Sequence, residues 1–487
     1  MKKILFTILS QALFAALWLC ASQAPVSAAG LNSPSGENDA SLVFLDVSCG
    51  GVAAEELEKT TDSNQYSSCY FDEVSRIRFE AESPVRSIYI MFGKPCVWTV
   101  SLPDSSEIIG GENQFLHECV VLESSVTAFE LNLPAGSSLT DVYAFTEGSL
   151  PDWVQIWQPP CKRADLMLMP THADDEHLWF GGAMPYYAGE LGYNVQVVYL
   201  TNHANEPWRG HELLNGLWLV GVRNYPIITD KFIDDRASKP SLNAAENFYG
   251  RERVLEFQVE MLRRFSPRVI IAHDINGEYG HGAHILNAST LLEALKEYED
   301  PSVFPESAKK YGIHKAQKCY LHLWEENQIT VQWSGKTLDR FGGRTAFEMA
   351  REGYHCHASQ LVWQNYVLEF GAYDCRKFGL AYTTVGYDTP GLNDMFENVD
   401  WSEIPDFTPD NGNSDEKTKS AVSDSDSGRS SPFSDFSKIP LFNVSGTDLD
   451  IPLIGKKIQL RDAAFAVAAA VVAFIASITA FCLTRRK

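Results

Sequence analysis

The chain has no Cys-x-x-Cys pair, which excludes the usual cysteine-based zinc sites. It also lacks any basic excess. Its 40 Lys and Arg stand against 63 Asp and Glu, a formal net charge of −23. A surface of that sign excludes a nucleic-acid binder, which needs a basic face. No internal repeat stands out. No Leu-Pro-x-Thr-Gly motif precedes the C-terminal apolar run, so a Gram-positive cell-wall sorting tail is excluded.

What is present fits two or three domains. The length is 487 residues, with 45% hydrophobic and 12% aromatic residues, ample for a buried core. The acidic balance suits a soluble extracellular domain and names no partner. At the front, Lys2 and Lys3 precede the apolar run Ile4 to Leu19, and Val26-Ser27-Ala28 offers a small-residue cleavage pattern. Residues 1–29 therefore read as a signal peptide; the alternative is an uncleaved anchor. At the back, the apolar run 463–484 is about the length of a bilayer span and ends in Arg485-Arg486-Lys487. The expected address is the cell surface, with the chain exported and anchored in the plasma membrane by this C-terminal helix. Eight cysteines lie between the two segments, and an even number in an exported region suggests disulfides. Neighbour pairing (Cys49 with Cys69, Cys96 with Cys119, Cys356 with Cys375) is the simplest guess.

Between the ends the pattern changes twice. Residues 41–160 hold short runs rich in β-branched and aromatic residues, such as Ser87 to Phe92, Val97 to Val100, Phe129 to Leu133 and Val142 to Phe145. They predict a small all-β, sandwich-like domain, either a carbohydrate-binding or substrate-positioning module or a packing domain without a site. Residues 161–397 alternate instead. Strands are predicted at 165–169, 195–200 and 268–272, and helices at 176–190, 212–220, 251–265 and 284–299. Alternation of this kind implies an α/β, Rossmann-like, mostly parallel sheet, with sites just beyond the carboxyl ends of its strands. Residues 405–450 are rich in Ser and Asp and read as a disordered stalk.

Two polar clusters fall at those strand ends. Thr171-His172-Ala173-Asp174-Asp175-Glu176 follows the first strand, and Gly277-Glu278-Tyr279-Gly280-His281-Gly282-Ala283-His284 lies beyond a later one. His172 and Asp175 are three apart at a strand-to-helix turn, so both can converge on one ion. Asp174, between them, is free for acid–base work. Glu176 reads as a helix N-terminal stabiliser. Of His281 and His284, one can ligate a metal while the other faces a substrate carbonyl. Such a set supplies three protein ligands, an open position and a separate carboxylate, the needs of a catalytic zinc site. Around it, His273 and Asp274 could orient a ligand, or His273 could be a cap. His177, His203 and His211 could be surface residues. Arg209 could grip a hydroxyl or an anion, or pair with Glu212. Asp234 and Asp235 could bind sugar hydroxyls or form a solvated turn.

With His172-Ala173-Asp174-Asp175-Glu176 after a strand, His281-x-x-His284 later and Tyr382-Thr383-Thr384-Val385-Gly386 near the end, residues 161–397 closely resemble the PIG-L / LmbE family of zinc-dependent N-acetylglucosaminyl deacetylases. The resemblance implies that His172, Asp175 and His284 bind Zn2+, that Asp174 is the general base, and that a protonated His281 stabilises the oxyanion. The family usually has Pro where Ala173 stands, and often Pro-Asp where Gly282-Ala283 stands. The expected function is a surface-anchored zinc hydrolase that deacetylates an N-acetylated sugar or glycan, GlcNAc-type or cell-wall. The alternatives are a zinc amidase acting on another N-acyl compound, and a carbohydrate-binding surface protein with an inactive deacetylase domain.

Overall fold

Alternating apolar side chains build the first layer. The strands are β1 (Leu42–Val43), β2 (Leu45–Cys49), β3 (Cys69–Phe71), β4 (Ser75–Lys94), β5 (Trp98–Ser101), β6 (Glu107–Gly110), β7 (His117–Leu133) and β8 (Ser137–Phe145). They form an eight-stranded antiparallel sheet in the order β1-β8-β4-β7-β5-β6, with β2 on β4 and β3 on β8. The long strand β4 shifts register between Glu80 and Val85 and again between Met91 and Phe92. Such bulges bend a strand, and here β4 changes partner along its length, from β2 to β8. Ile77, Phe79, Ile90, Phe129 and Leu131 share one core, in which the Phe79 and Phe129 rings stack at 5.0 Å.

The computed structural model describes residues 39–361 and 367–402, with the short segments 452–453 and 456–457. The first two stretches belong to one compact unit, Met1–Phe442. The expected signal peptide, stalk and apolar span at 463–484 lie outside the described residues. Among the described residues no helix is long and apolar enough to cross a membrane.

Short, mostly apolar runs build the second layer. Strands β9 (Leu166–Met169), β10 (Val195–Tyr199) and β12 (Val269–Ala272) are buried at every position, as strands covered on both faces must be. With β11 (Ile227–Ile228), β13 (Lys318–His322), β14 (Gln328–Thr330) and β17 (Lys377–Thr383) they make a seven-stranded sheet, β11-β10-β9-β12-β13-β17-β14. The first five of these run parallel and β17 runs antiparallel to both its neighbours. A separate pair, β15 (Thr337–Leu338) and β16 (Arg344–Thr345), stands apart from it. The principal helices are α1 (Asp175–Leu178), α2 (Trp208–Leu219), α3 (Arg251–Phe265), α4 (Gly282–Glu297) and α5 (Ala346–His355). The chain order reverses between β9 and β12, which places the switch-point crevice of an open α/β sheet beside residue 172.

Three expectations need correction. The helix expected over 176–190 is broken. It stops at Leu178, Gly181 takes φ +54° against Trp333, and Met184–Glu190 is a π-helix with a proline in its first turn. The eight cysteines are all free. Chain neighbours fall on separate elements: Cys49 on β2 pairs with Ile77, whereas Cys69 on β3 pairs with Leu139. Nor is His211 a surface residue. It is 1% exposed, and its Nδ1 lies 2.7 Å from Nε2 of His117. Together with stacking of Phe115 on Tyr225 at 4.1 Å and the Tyr66 hydroxyl donating to Glu212, this seats the first sheet on α2.

Candidate active site

The turn after β9 carries the densest polar cluster. Asp174 has φ +123° and ψ −28°, a conformation that costs a non-glycine residue about 1–3 kcal/mol. Four contacts hold it there. The His172 amide donates to Asp175 Oδ2 at 2.7 Å, the Ala173 amide to His203 Nε2 at 3.0 Å and the Asp174 amide to Glu176 Oε2 at 2.9 Å, while Arg209 donates to the Ala173 carbonyl. The backbone is thus bent so that residues 172 and 175 face one point.

His172 Nδ1 lies 3.1 Å from Asp175 Oδ2 and 3.1 Å from His284 Nε2, and the latter lies 3.3 Å from the same carboxylate oxygen. Three donor atoms at such spacing suit one tetrahedral ion. Bonds of about 2.0–2.1 Å put ligand atoms about 3.3 Å apart. The outward nitrogens are tied down as metal ligands usually are. His284 Nδ1 lies 2.8 Å from Glu278 Oε2, and His172 Nε2 lies 3.4 Å from Asp234 Oδ1. The second oxygen of Asp175 accepts from Trp179 Nε1 at 2.7 Å. Burial alone would raise the Asp175 carboxyl, but His284, His273 and His172 pull it well below the ordinary range. The residues present therefore fit a zinc-type cation.

Asp174 and His281 flank this triangle. Asp174 is 7% exposed, with Arg209 NH2 3.7 Å from its Oδ1. Burial pushes its carboxyl well up, and Arg209 opposes this. The His281 ring stacks on that of His284 at 4.5 Å and meets His172 edge-on at 4.8 Å. Its Nδ1 accepts from the Ala283 amide at 3.3 Å, which leaves the proton on Nε2. Burial, then the His172 and His284 imidazoles, drive its pKa down. The expected protonated His281 is thereby revised to a neutral ring that still offers one N–H.

The remaining candidates are placed as follows. Arg209 does not pair with Glu212, whose carboxylate takes the Tyr66 and Ser359 hydroxyls. It reaches Asp234 at 3.4 Å and holds the bent motif. Asp234 sits between His172 and His203. Asp235 caps a short 3-10 turn by accepting from the Ala237 amide at 2.7 Å. His273 is fully buried and does face a ligand: its Nε2 accepts from the Thr171 amide at 2.9 Å and lies 3.4 Å from Asp175. Asp274 instead turns its carboxylate to Asn276. Glu176 is more than a cap, being fully buried with its other oxygen against His357.

Sequence reading missed Glu278 and His322. Glu278, wholly buried, takes three imidazoles: His273 and His284 at 2.8 Å and His322 at 2.7 Å. The signal was present as a carboxylate three residues before His281, but His322 arrives from β13. Replacing Glu278 by Gln removes the charge that orients these rings. Metal affinity is expected to fall about 10–100-fold, as read by competition with a chelator of known affinity; unchanged affinity would make Glu278 a packing residue.

No family model matches the chain. It is similar to a 1D-myo-inositol 2-acetamido-2-deoxy-alpha-D-glucopyranoside deacetylase 2 of Saccharopolyspora erythraea, 31% identical over 172 residues. That match covers 31% of this chain and 62% of the relative, so the chain spans about three fifths of that protein. A deacetylase for the same compound from Thermobifida fusca is 25% identical over 242 residues, covering 40% of this chain and 83% of the relative. These relatives are deacetylases. Among solved structures, the N,N'-diacetylchitobiose deacetylase from Pyrococcus horikoshii is 19% identical with a TM-score of 0.31, over 42% of this chain and 73% of that one.

Proposed function

We propose that the chain is a metal-dependent hydrolase that removes the acetyl group from an N-acetylated amino sugar. The observation that carries this is the His172–Asp175–His284 triangle, flanked by one spare carboxylate and one imidazole N–H. The relatives, deacetylases of a 2-acetamido sugar, supply the substrate class.

A zinc ion held by His172, Asp175 and His284 would lower the pKa of a water to about 7 and polarise an amide carbonyl. Asp174 takes the proton of the attacking water. His281 donates its Nε2–H to the oxyanion that develops on the carbonyl oxygen as the water adds to the carbon. The C–N bond breaks as Asp174 passes its proton to the amine nitrogen, and acetate and the free amino sugar leave. Asp234 and Arg209 hold His172 and the bent motif in place.

Tyr279 stands at the rim, 41% exposed, its ring 5.6 Å from that of His281. An aromatic face there suits the apolar face of a sugar ring. Tyr279→Ala is expected to raise KM several-fold with kcat nearly unchanged, and an equal fall in kcat would place the ring in the chemistry instead.

The proposal extends to place. Residues 1–29 would export the chain and 463–484 would hold it at the cell surface, with GlcNAc-type glycan or cell-wall material within reach; both segments are read from sequence alone. The test is acetate release by the purified full chain from N-acetylglucosamine oligomers, peptidoglycan fragments and an N-acetylglucosaminyl inositol. No release from any of them, with metal bound, would overturn the proposal.

A further inference from the structure

One residue past the ligand Asp175 the chain builds a second polar cluster, which the chemistry above leaves unused. Glu176 and His177 on α1 meet His357, just beyond α5, and all three are 0% exposed. Glu176 Oε1 lies 3.0 Å from His357 Nε2 and 3.6 Å from His177 Nε2. These distances bracket the separation of about 3.3 Å expected between ligands of one tetrahedral zinc-type ion.

The protein alone leaves this cluster unsatisfied. Neither ring nitrogen of His177 has a hydrogen-bond partner, nor has Nδ1 of His357. An unpartnered buried polar group costs about 1–3 kcal/mol, and folded proteins rarely leave several together. The packing around these rings is close. A methyl added at Gly216 on α2 would stand 2.8 Å from His177 Nε2, 3.3 Å from His357 Nε2 and 3.0 Å from the Gly353 carbonyl oxygen. Two imidazole nitrogens and a carbonyl thus converge on α2 at a position where only glycine fits. A methyl at Gly353 on α5 would meet the His177 ring at 2.3 Å. The two glycines let α2 and α5 close on the ring from both sides.

We propose that Glu176, His177 and His357 hold a second, structural metal ion. The donor set of two imidazoles and one carboxylate selects a borderline first-row divalent cation of the zinc class rather than calcium or magnesium. Its place gives its role. It ties the four-residue helix α1, too short to persist alone, to the end of α5, and so fixes Asp174 and Asp175 from behind. No step of the hydrolysis passes through it.

The test is metal content of the full, untagged chain after dialysis against trace zinc. About two ions per chain are expected, one for each set of ligands. His284 supplies one corner of the ligand triangle at the first site. His284→Ala should therefore keep about one ion, and His357→Gln should also keep about one while retaining the ion at His172. A zinc-edge anomalous difference map of crystals of the unsubstituted protein answers the case in which His357→Gln fails to fold: a peak between Glu176, His177 and His357 is expected. One ion per chain in the unsubstituted protein, none in His284→Ala, or no peak at that position would overturn the inference. The outcome is independent of the hydrolase proposal, because metal can be counted whether or not acetate is released.

Discussion

His284→Ala is expected to yield a folded protein whose first site holds no metal and whose hydrolysis falls about 10⁴-fold, the equivalent of several kcal/mol of lost charge stabilisation. The fold should survive because residue 284 stands in the first turn of α4, where alanine is a good helix former, and the helix rests on Leu286, Leu291 and Ala294. Chemistry should not survive. The imidazole supplies one corner of the ligand triangle, at 3.1 Å from His172 and 3.3 Å from Asp175. Without it two ligands remain, and Glu278 keeps His273 and His322 but loses the ring it aims at the ion. Circular dichroism, metal analysis and kcat/KM on one preparation check this. Full metal content with activity within about tenfold of the unsubstituted protein would remove His284 from the ligand set and the hydrolase proposal with it.

How much of this was legible follows from the range of each interaction. Three of the five parallel strands were, because a strand covered on both faces is largely apolar, and Leu166–Met169, Val195–Tyr199 (Gln196 apart) and Val269–Ala272 are. Strand ends then place His172 and Asp175, three residues apart, without knowledge of anything distant. Strands β4, β5, β7 and β8 of the first layer were legible in part from β-branched and aromatic runs, whereas β1, β2, β3 and β6 were not. The strands β14 and β17 were not, since exposed or half-buried positions dilute their pattern. Helix continuity failed where tertiary packing overrode it: the indole of Trp333 lies against Gly181, and the chain turns aside there. The supporting shell failed for a different reason. His357 stands 181 residues from Glu176 and His322 44 residues from Glu278, so each pair is joined by the fold alone.

The departure at Ala173 acquires a physical meaning in this light. Its amide donates to His203 at 3.0 Å, a bond that a proline at this position could not make. His203 in turn lies 3.4 Å from Asp234, which faces His172. Where the PIG-L / LmbE family that the motif resembles usually has a proline, this chain braces the motif with a histidine that also contacts the carboxylate behind His172. Loop shape is thus coupled to ligand orientation through one side chain.

The same bent backbone decides how the general base must be tested. Asp174→Asn is expected to lower kcat/KM by about 10²–10⁴-fold, the usual contribution of a positioned base, with metal content unchanged. Asparagine is the replacement to use because residue 174 has φ +123°, and asparagine is among the few side chains that tolerate positive φ. Alanine would let the turn relax and would confound loss of the base with displacement of His172 and Asp175. The amide keeps the volume of the carboxyl beside Arg209, so the contact at 3.7 Å loses its charge but not its shape. What it cannot do is take a proton from water. A large fall with metal retained therefore isolates the proton transfer. Full activity would remove Asp174 from that role. Loss of metal would instead make Asp174 part of what holds the ion, leaving the base to be sought among the remaining carboxylates at the site, such as Asp234, 3.4 Å from His172.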